Sequence, residues 1–378
     1  MIMNNIDNPF VVYGYAGPEY FCDRKEETQA LIDTLMNGGN VTLMSPRRMG
    51  KTGLILNAFH QIEKQYSNVT CFYVDIFATQ SLSDFVSALA NAIIGKLDTP
   101  IQRAEGFLAR FFQNSQITMS ADPITGMPQW GLSFQPQEAQ VTLDKIFAYI
   151  EQSSRTCFIA LDEFQQISKY EEKNIESLLR TYIQAHRNVR FIFSGSKQHM
   201  MFEMFTSPKH PFYRSTECQN LAALNEAVYY EFAQERLSIK HIQLDADLFH
   251  EIYQRFDGVT WFVQEILNRL YRLEEGTYVD DAIWHDCLER IIFSQAENYR
   301  CQYKMLTRNQ ALLLSAIAKE RCVKEPMSGQ FIHRYNLKSS SSVQRAFQFL
   351  MEEEFIYETD NGYIVYDRFM SLWLAKER

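Results

Sequence analysis

The sequence predicts an α/β fold: a parallel sheet with helices on both faces, then an all-helical segment, then a small domain of helices and one hairpin. Three observations carry this. Short apolar runs (Val41–Met44, Val69–Asp75, Cys157–Leu161, Asn188–Phe193) alternate with amphipathic stretches, the spacing of strand–helix–strand crossovers. From Leu221 to about Tyr303 the pattern is helical throughout, with a break at Asp257-Gly258. The last residues give three short helical patterns and then two β-type runs around Asp360-Asn361-Gly362, a hairpin signal.

Taken in order, residues 23–37 place Leu31, Ile32 and Leu35 on one face of an amphipathic helix ahead of the Val41–Met44 strand. Val69–Asp75 is the next strand and Leu82–Leu97 the next helix. The stretch 114–135 holds Pro123, Gly126, Pro128 and Gly131 around Trp130 and Phe134, the composition of an insertion with a small hairpin. Gln137–Gln152 and Ile175–Ala185 read as helices on either side of the Cys157–Leu161 strand, and Asn188–Ser196 as a strand ending in small polar residues. Near the end, helices are expected over Thr307–Lys319, Gly329–Tyr335 and Ser339–Glu353, the last opened by capping serines. Three helices and a hairpin make a winged helix.

At 378 residues the chain should hold two or three domains, placed at 1–220, 221–303 and 304–378. Apolar content of 46% is ample for packed cores. With 37 basic and 46 acidic residues the net charge is −9, which argues against a surface that seeks nucleic acid everywhere. Seven scattered cysteines without a Cys-x-x-Cys pair suit buried free thiols in a reducing cytoplasm, and no zinc site is expected. Met1–Asp7 lacks the features of a signal peptide, and no apolar run is long enough to cross a bilayer. A cytoplasmic protein without a membrane partner is expected.

The chemistry concentrates in three places. Ser45-Pro46-Arg47-Arg48-Met49-Gly50-Lys51-Thr52 joins an apolar strand to a helix that begins near Gly53, the order of a phosphate-binding P-loop. Such a loop cradles phosphate with backbone N–H groups at a helix start, where the dipole favours an anion. Ser45 stands where the pattern has its first glycine, and is less free than glycine at positive φ. A site of this kind uses magnesium, a carboxylate to hold it and a group to orient water. The apolar strand ending in Asp162-Glu163 supplies them: Asp162 to hold magnesium with Thr52, and Glu163, pointing the other way, as general base. The strand end at Ser194-Gly195-Ser196 offers hydroxyls that could sense the γ-phosphate or merely turn the chain. Arg47 and Arg48 could neutralise phosphate or contact a neighbouring subunit, or pair with carboxylates of the helical segment.

These segments together resemble the archaeal-type P-loop ATPase family of the AAA+ and STAND group. The resemblance rests on Phe21-Cys22-Asp23-Arg24-Lys25-Glu26, the Pro46–Thr52 loop and Leu161-Asp162-Glu163-Phe164-Gln165. Ser194-Gly195-Ser196, Phe212-Tyr213-Arg214, Asp257–Phe262 and Asp367–Leu374 extend it over nearly the whole chain. It implies a P-loop NTPase sheet, an α-helical lid over 221–303 and a winged-helix domain, with Walker A and Walker B motifs binding ATP or ADP and Mg2+. Carried over by position, Lys51 contacts the β- and γ-phosphates, Thr52 and Asp162 hold the metal, and Glu163 activates water. Arg214 is the arginine-finger or sensor candidate, against a plain surface arginine, and Tyr20 and Phe21 are base-packing candidates. The chain departs from the family at Val259-Thr260, where a proline is usual, and that segment contains no arginine to serve as a sensor.

Between Thr307 and Leu350 seven Lys or Arg face two acids, yet the third helix of the winged helix contributes only Arg345, and Glu352, Glu353 and Glu354 close it. Since each phosphate contact needs a cation, attraction to duplex DNA would be modest. The winged helix could equally be a packing module. The leading expectation is an ATP-hydrolysing switch whose nucleotide state moves lid and winged helix. Its partners are ATP, a protein or a second copy of the chain, and duplex DNA through the winged helix. The rivals are a nucleotide-binding scaffold with negligible turnover and a DNA-binding regulator in which ATP is only structural.

Overall fold

The computed structural model describes residues 7–94, 96–97, 116–121 and 128–377. The expectations for Met1–Ile6, for position 95 in the Leu82–Leu97 helix, and for 114–115 and 122–127 of the insertion lie outside the described residues. The described chain clusters into two compact units. One is Val11–Tyr229 with Val259–Trp261; the other takes the residues up to Phe10, Tyr230–Gly258 and Phe262 onward.

The first unit is built on a parallel five-stranded sheet of order β2-β5-β6-β1-β7, with helices packed on it. Its strands are β1 (Val41–Met44), β2 (Val69–Asp75), β5 (Thr156–Asp162), β6 (Val189–Gly195) and β7 (Glu217–Asn220). The predicted P-loop strand is β1, and β6 sits between it and β5, so the serine-ended strand separates the loop strand from the acidic one. The interior of β5 is buried throughout, as a strand covered on both faces requires. Phe164, Phe193, Phe205 and Phe212 pack together beneath its end, with Phe164 and Phe193 ring centroids 4.6 Å apart. Helix α1 (Lys25–Met36) precedes β1, and α2 (Lys51–Gln65) follows it. Further helices span Leu82–Ile93, Ala139–Gln152, Ile175–Ala185 and Gln198–Thr206. Within the stretch read as an insertion, β3 (Gln116–Ala121) pairs antiparallel with β4 (Pro128–Ser133).

Strand β7 has no counterpart among the predicted elements. Its four residues, Glu-Cys-Gln-Asn, carry no apolar run, because this edge strand leaves its side chains mostly exposed. Cys218 on it is exposed, as is Cys301, so the expectation of buried thiols holds for Cys22, Cys71, Cys157 and Cys287 alone among the seven, with Cys322 intermediate.

In the second unit helices end at Leu237 and span Ala246–Arg255, Asp281–Met305 and most of Thr260–Leu270. A short parallel pair, β8 (Gln243–Leu244) with β9 (Tyr278–Val279), interrupts what the sequence presents as helix alone. Two-residue strands leave no periodicity to detect. The winged helix follows: helices Arg308–Glu320, Gly329–Arg334 and Ser340–Glu352, hairpin β10 (Ile356–Thr359) and β11 (Gly362–Val365), and a closing helix Arg368–Glu377. The hairpin turns through Asp360-Asn361, and Gly362 is already paired with Thr359. Glycine is needed there for another reason: at φ 134° a Cβ would stand 2.7 Å from the Val323 carbonyl oxygen, which bridges to Tyr363. The Asp257 and Arg368 side chains form an ion pair, and Phe256, Phe262 and Phe369 interlock beside it with centroids 5.1–5.7 Å apart. Two of the segments that carry the family resemblance thus pack on each other.

Candidate nucleotide site

The loop Ser45–Gly50 leaves β1 at its carboxyl end, where parallel sheets place ligands. Gly50, at φ 96°, adopts a conformation that L side chains rarely take, and a Cβ there would meet nothing within 4 Å. Arg48 takes φ 69°. Ser45 is not among the positive-φ residues and is fully buried, so the glycine of the common pattern is not required at that position. Lys51 Nζ donates to the carbonyls of Ser45 (2.8 Å) and Pro46 (3.0 Å) and lies 3.4 Å from Ser45 Oγ, folding back over the loop.

Three groups pin the loop from outside. Trp261 N–H donates to the Arg48 carbonyl at 3.1 Å, and Thr260 Oγ1 to that of Met49 at 3.5 Å. The buried Arg24 guanidinium donates to the Ala222 carbonyl (2.7 Å) and lies 3.4 Å from the Met49 carbonyl. Because a trans peptide points its N–H opposite its C=O, these bonds turn the amides of Met49 and Gly50 away from those donors. The Arg48 guanidinium stacks 4.1 Å from the Trp261 ring centroid, so its partner from the lid segment is an aromatic ring and not a carboxylate.

At the head of α2, Thr52 Oγ1 donates to Asp162 Oδ2 at 2.9 Å. Tyr73 on β2 donates its hydroxyl to the same oxygen at 2.5 Å, and the Glu163 amide donates to Oδ1 at 3.0 Å. Asp162 is 6% exposed, and these three donors satisfy its carboxylate inside the protein. Burial, then the Asp162 charge, pushes the Tyr73 phenol well above its ordinary pKa, so it stays protonated and donates. Burial likewise raises Asp75, level with Asp162 on the neighbouring strand, against the lowering effect of its bond from the Phe77 amide. Threonine hydroxyl and carboxylate are the hard oxygen donors that magnesium takes, so Thr52 and Asp162 fit such an ion.

Glu163 does not continue the strand's alternation. At φ 56° it turns the chain into the short helical turn Phe164–Lys169, and its carboxylate meets the residue that follows β6. Ser196 Oγ donates to Glu163 Oε2 at 2.8 Å, Gln165 Nε2 donates to the same oxygen at 2.5 Å, and Arg47 Nε lies 4.0 Å from Oε1. Arg47 Nε also donates to Ser196 Oγ at 3.2 Å, which makes a chain Arg47–Ser196–Glu163. Ser194, by contrast, is buried, and among the described residues its hydroxyl has no hydrogen-bond partner.

Phe21 lies over the first turn of α2: a Cβ on Gly53 would stand 3.0 Å from the Phe21 ring. Tyr20 is partly exposed in the short turn Pro18–Tyr20 just before it. Arg214 is exposed at φ 55°, its guanidinium 5.2 Å from the Tyr213 centroid, and among the described residues it makes no hydrogen bond to the loop or to Asp162 and Glu163. The structure therefore brings together Ser45–Gly53, Asp162, Glu163, Ser196 and Phe21. Tyr73, Trp261 and Arg24 join them without having been singled out as site residues. The register could have found Tyr73, which lies two residues before Asp75, on the face of the sheet that carries Asp162.

A P-loop set at the carboxyl edge of a parallel sheet, with an acid-ended strand two places along from its own, defines a P-loop ATPase fold of the AAA type. Residues 34–200 match the family model described as "AAA domain", and residues 297–376 match that described as "Probable winged helix domain". The chain thus carries an AAA domain and a C-terminal winged-helix domain. Among solved structures it is similar to a Walker-type ATPase of Pyrococcus abyssi, with a TM-score of 0.67 at 16% identity over 97% of this chain and 99% of that one. It is also similar to the Aeropyrum pernix ORC2 protein in ADPNP–ADP complexes, with a TM-score of 0.59 at 14% identity over 97% and 95%. The Aeropyrum pernix ORC1 protein in complex with DNA gives 0.55 at 14% identity over 98% and 96%. No curated protein sequence matches. Among the described residues no helix is long and apolar enough to cross a membrane.

Proposed function

We propose that this protein is an ATP-binding and ATP-hydrolysing switch. The observation that carries the reading is the Thr52–Asp162 bond of 2.9 Å with Glu163 next in the chain, a metal-holding pair beside a second carboxylate. In this reading Ser45–Gly53 cradles the phosphates and Lys51 exchanges its loop carbonyls for the β- and γ-phosphates. Thr52 and Asp162 hold Mg2+, which neutralises phosphate charge when bound. Glu163 accepts the proton of the attacking water, and Ser196 with Arg47 orients it. Tyr20 and Phe21 pack the base. Nucleotide state is read out by movement of the helical lid (221–303) and the winged helix (304–378) relative to the core (1–220).

Arg214, exposed and away from the loop's hydrogen bonds, acts as a finger on a second copy of the chain. The winged helix contacts duplex DNA, a reading supported by the likeness to the Aeropyrum pernix ORC1 protein in complex with DNA. Its third helix exposes Ser341, Gln344, Arg345 and Gln348, a polar face with one cation. A second reading, nucleotide binding with little turnover, is favoured by one observation: both donors on Glu163 Oε2 must be exchanged before that oxygen takes a proton.

The test is phosphate release by purified protein, alone and with duplex DNA, beside Glu163→Gln. Loss of a general base lowers turnover by about 10²–10⁴-fold with ATP binding retained. Equal, slow release by both proteins would establish the second reading. Mixing Arg214→Ala with Glu163→Gln protein restores activity only if Arg214 acts across subunits.

A further inference from the structure

We infer that Tyr73 is a positioning residue that sets the divalent-cation preference of the nucleotide site; this rests on the reading of Thr52 and Asp162 as metal-holding residues. The starting point is register. Strands β2 and β5 run parallel with Asp75 level with Asp162 and Tyr73 level with Ala160. Alternation puts Tyr73, Asp75, Ala160 and Asp162 on one face of the sheet. Tyr73 therefore starts two residues below Asp162, a rise of about 6.6 Å, which a tyrosine side chain bridges when it lies along the strands. Ala160, small and level with it, leaves room for the ring. The hydroxyl ends 2.5 Å from Asp162 Oδ2.

That contact fixes more than distance. Asp162 Oδ2 receives Thr52 Oγ1 and Tyr73 OH from two sides, while Oδ1 receives the Glu163 amide. A carboxylate turns freely about its last bond unless both oxygens are held, and here the two hydroxyls and the amide fix its plane. Without Tyr73, Oδ2 keeps a single donor, Thr52, the very residue that must also face the metal. Magnesium demands near-ideal octahedral geometry, whereas calcium accepts six to eight oxygens in flexible arrangements. A carboxylate held in one plane favours the demanding ion, and one allowed to turn serves calcium nearly as well.

The test titrates Mg2+ and separately Ca2+ into full-length protein with a fixed concentration of fluorescent ADP, following nucleotide binding for wild type and Tyr73→Phe. Tyr73→Phe raises the half-saturating Mg2+ by roughly tenfold, the scale of a charge-assisted hydrogen bond, and moves the Ca2+ value less than threefold. ADP affinity in EDTA stays the same. An equal shift for both ions, or no shift for either, would overturn the assignment. Asp162→Ala removes the acceptor, so Tyr73→Phe in that background changes nothing further, and an additive effect would contradict action through Asp162. Circular dichroism checks the fold of each variant. Should Tyr73→Phe not fold, Tyr73→Met, which fills the space without a donor to Asp162, gives the same tenfold rise for Mg2+, and a wild-type value would overturn the proposal. Absence of ADP binding by wild type in any buffer would instead refute the nucleotide-site reading itself.

Discussion

At the scale of single residues, the loop's identity lay in its sequence and its anchoring did not. Gly50, Lys51 and Thr52 announce a phosphate cradle by type and order, and Gly50 indeed carries a positive φ. Ser45 drew notice as a missing glycine, but the chain passes through it at negative φ, where serine costs nothing. Trp261 and Arg24 pin the loop from remote positions; both lie in segments that carry the resemblance, but contacts between residues so far apart leave no spacing from which to read them. Gly53 offers a residue-scale prediction. Alanine is favoured over glycine in a helix by up to about 1 kcal/mol, but its Cβ would press on the Phe21 ring at 3.0 Å. Gly53→Ala therefore keeps a melting temperature no lower than wild type while weakening ADP binding several-fold. A lowered melting temperature with unchanged affinity would remove Phe21 from the site.

At the scale of elements, strands with apolar runs were legible and the rest were not. Strands β1, β2, β5 and β6 announce themselves because both faces are buried. Strand β7 escapes because an edge strand needs backbone pairing and no apolar side chains; its register from Glu217 to Asn220 against Val41–Met44 is held by main-chain bonds. The turn after β5 is the element that decides chemistry, because the left-handed Glu163 sends its carboxylate to Ser196, just past the end of the neighbouring strand. Alternation alone predicts the opposite direction. The end of β6 must be bare for this to work: a Cβ on Gly195 would stand 2.5 Å from Gln165 Oε1 and 2.6 Å from Met201 Cγ. Gly195→Ala is expected to cost about 1–3 kcal/mol as an overpacked site, measured as a lower denaturation midpoint. It also displaces Gln165 from Glu163. A midpoint equal to wild type would mean that the turn yields easily.

For the whole molecule, composition predicted an acidic chain with several packed parts, and the described residues cluster into two units, one around the parallel sheet and one containing the winged helix. Sequence patterns located the winged helix because helix caps, a hairpin turn and apolar periodicity coincide within a short stretch. They could not show that Asp257 pairs with Arg368, since ion pairing over that separation depends on tertiary packing. We propose that Ser45–Gly53 and Asp162 form one nucleotide site per chain. Calorimetric titration of ATP with Mg2+ into wild type and Lys51→Ala tests it most directly. One site is expected in wild type, weakened by roughly ten- to a hundredfold in Lys51→Ala, as loss of a charged hydrogen-bond donor implies. Equal affinity in the two proteins, or no binding to wild type, would contradict it.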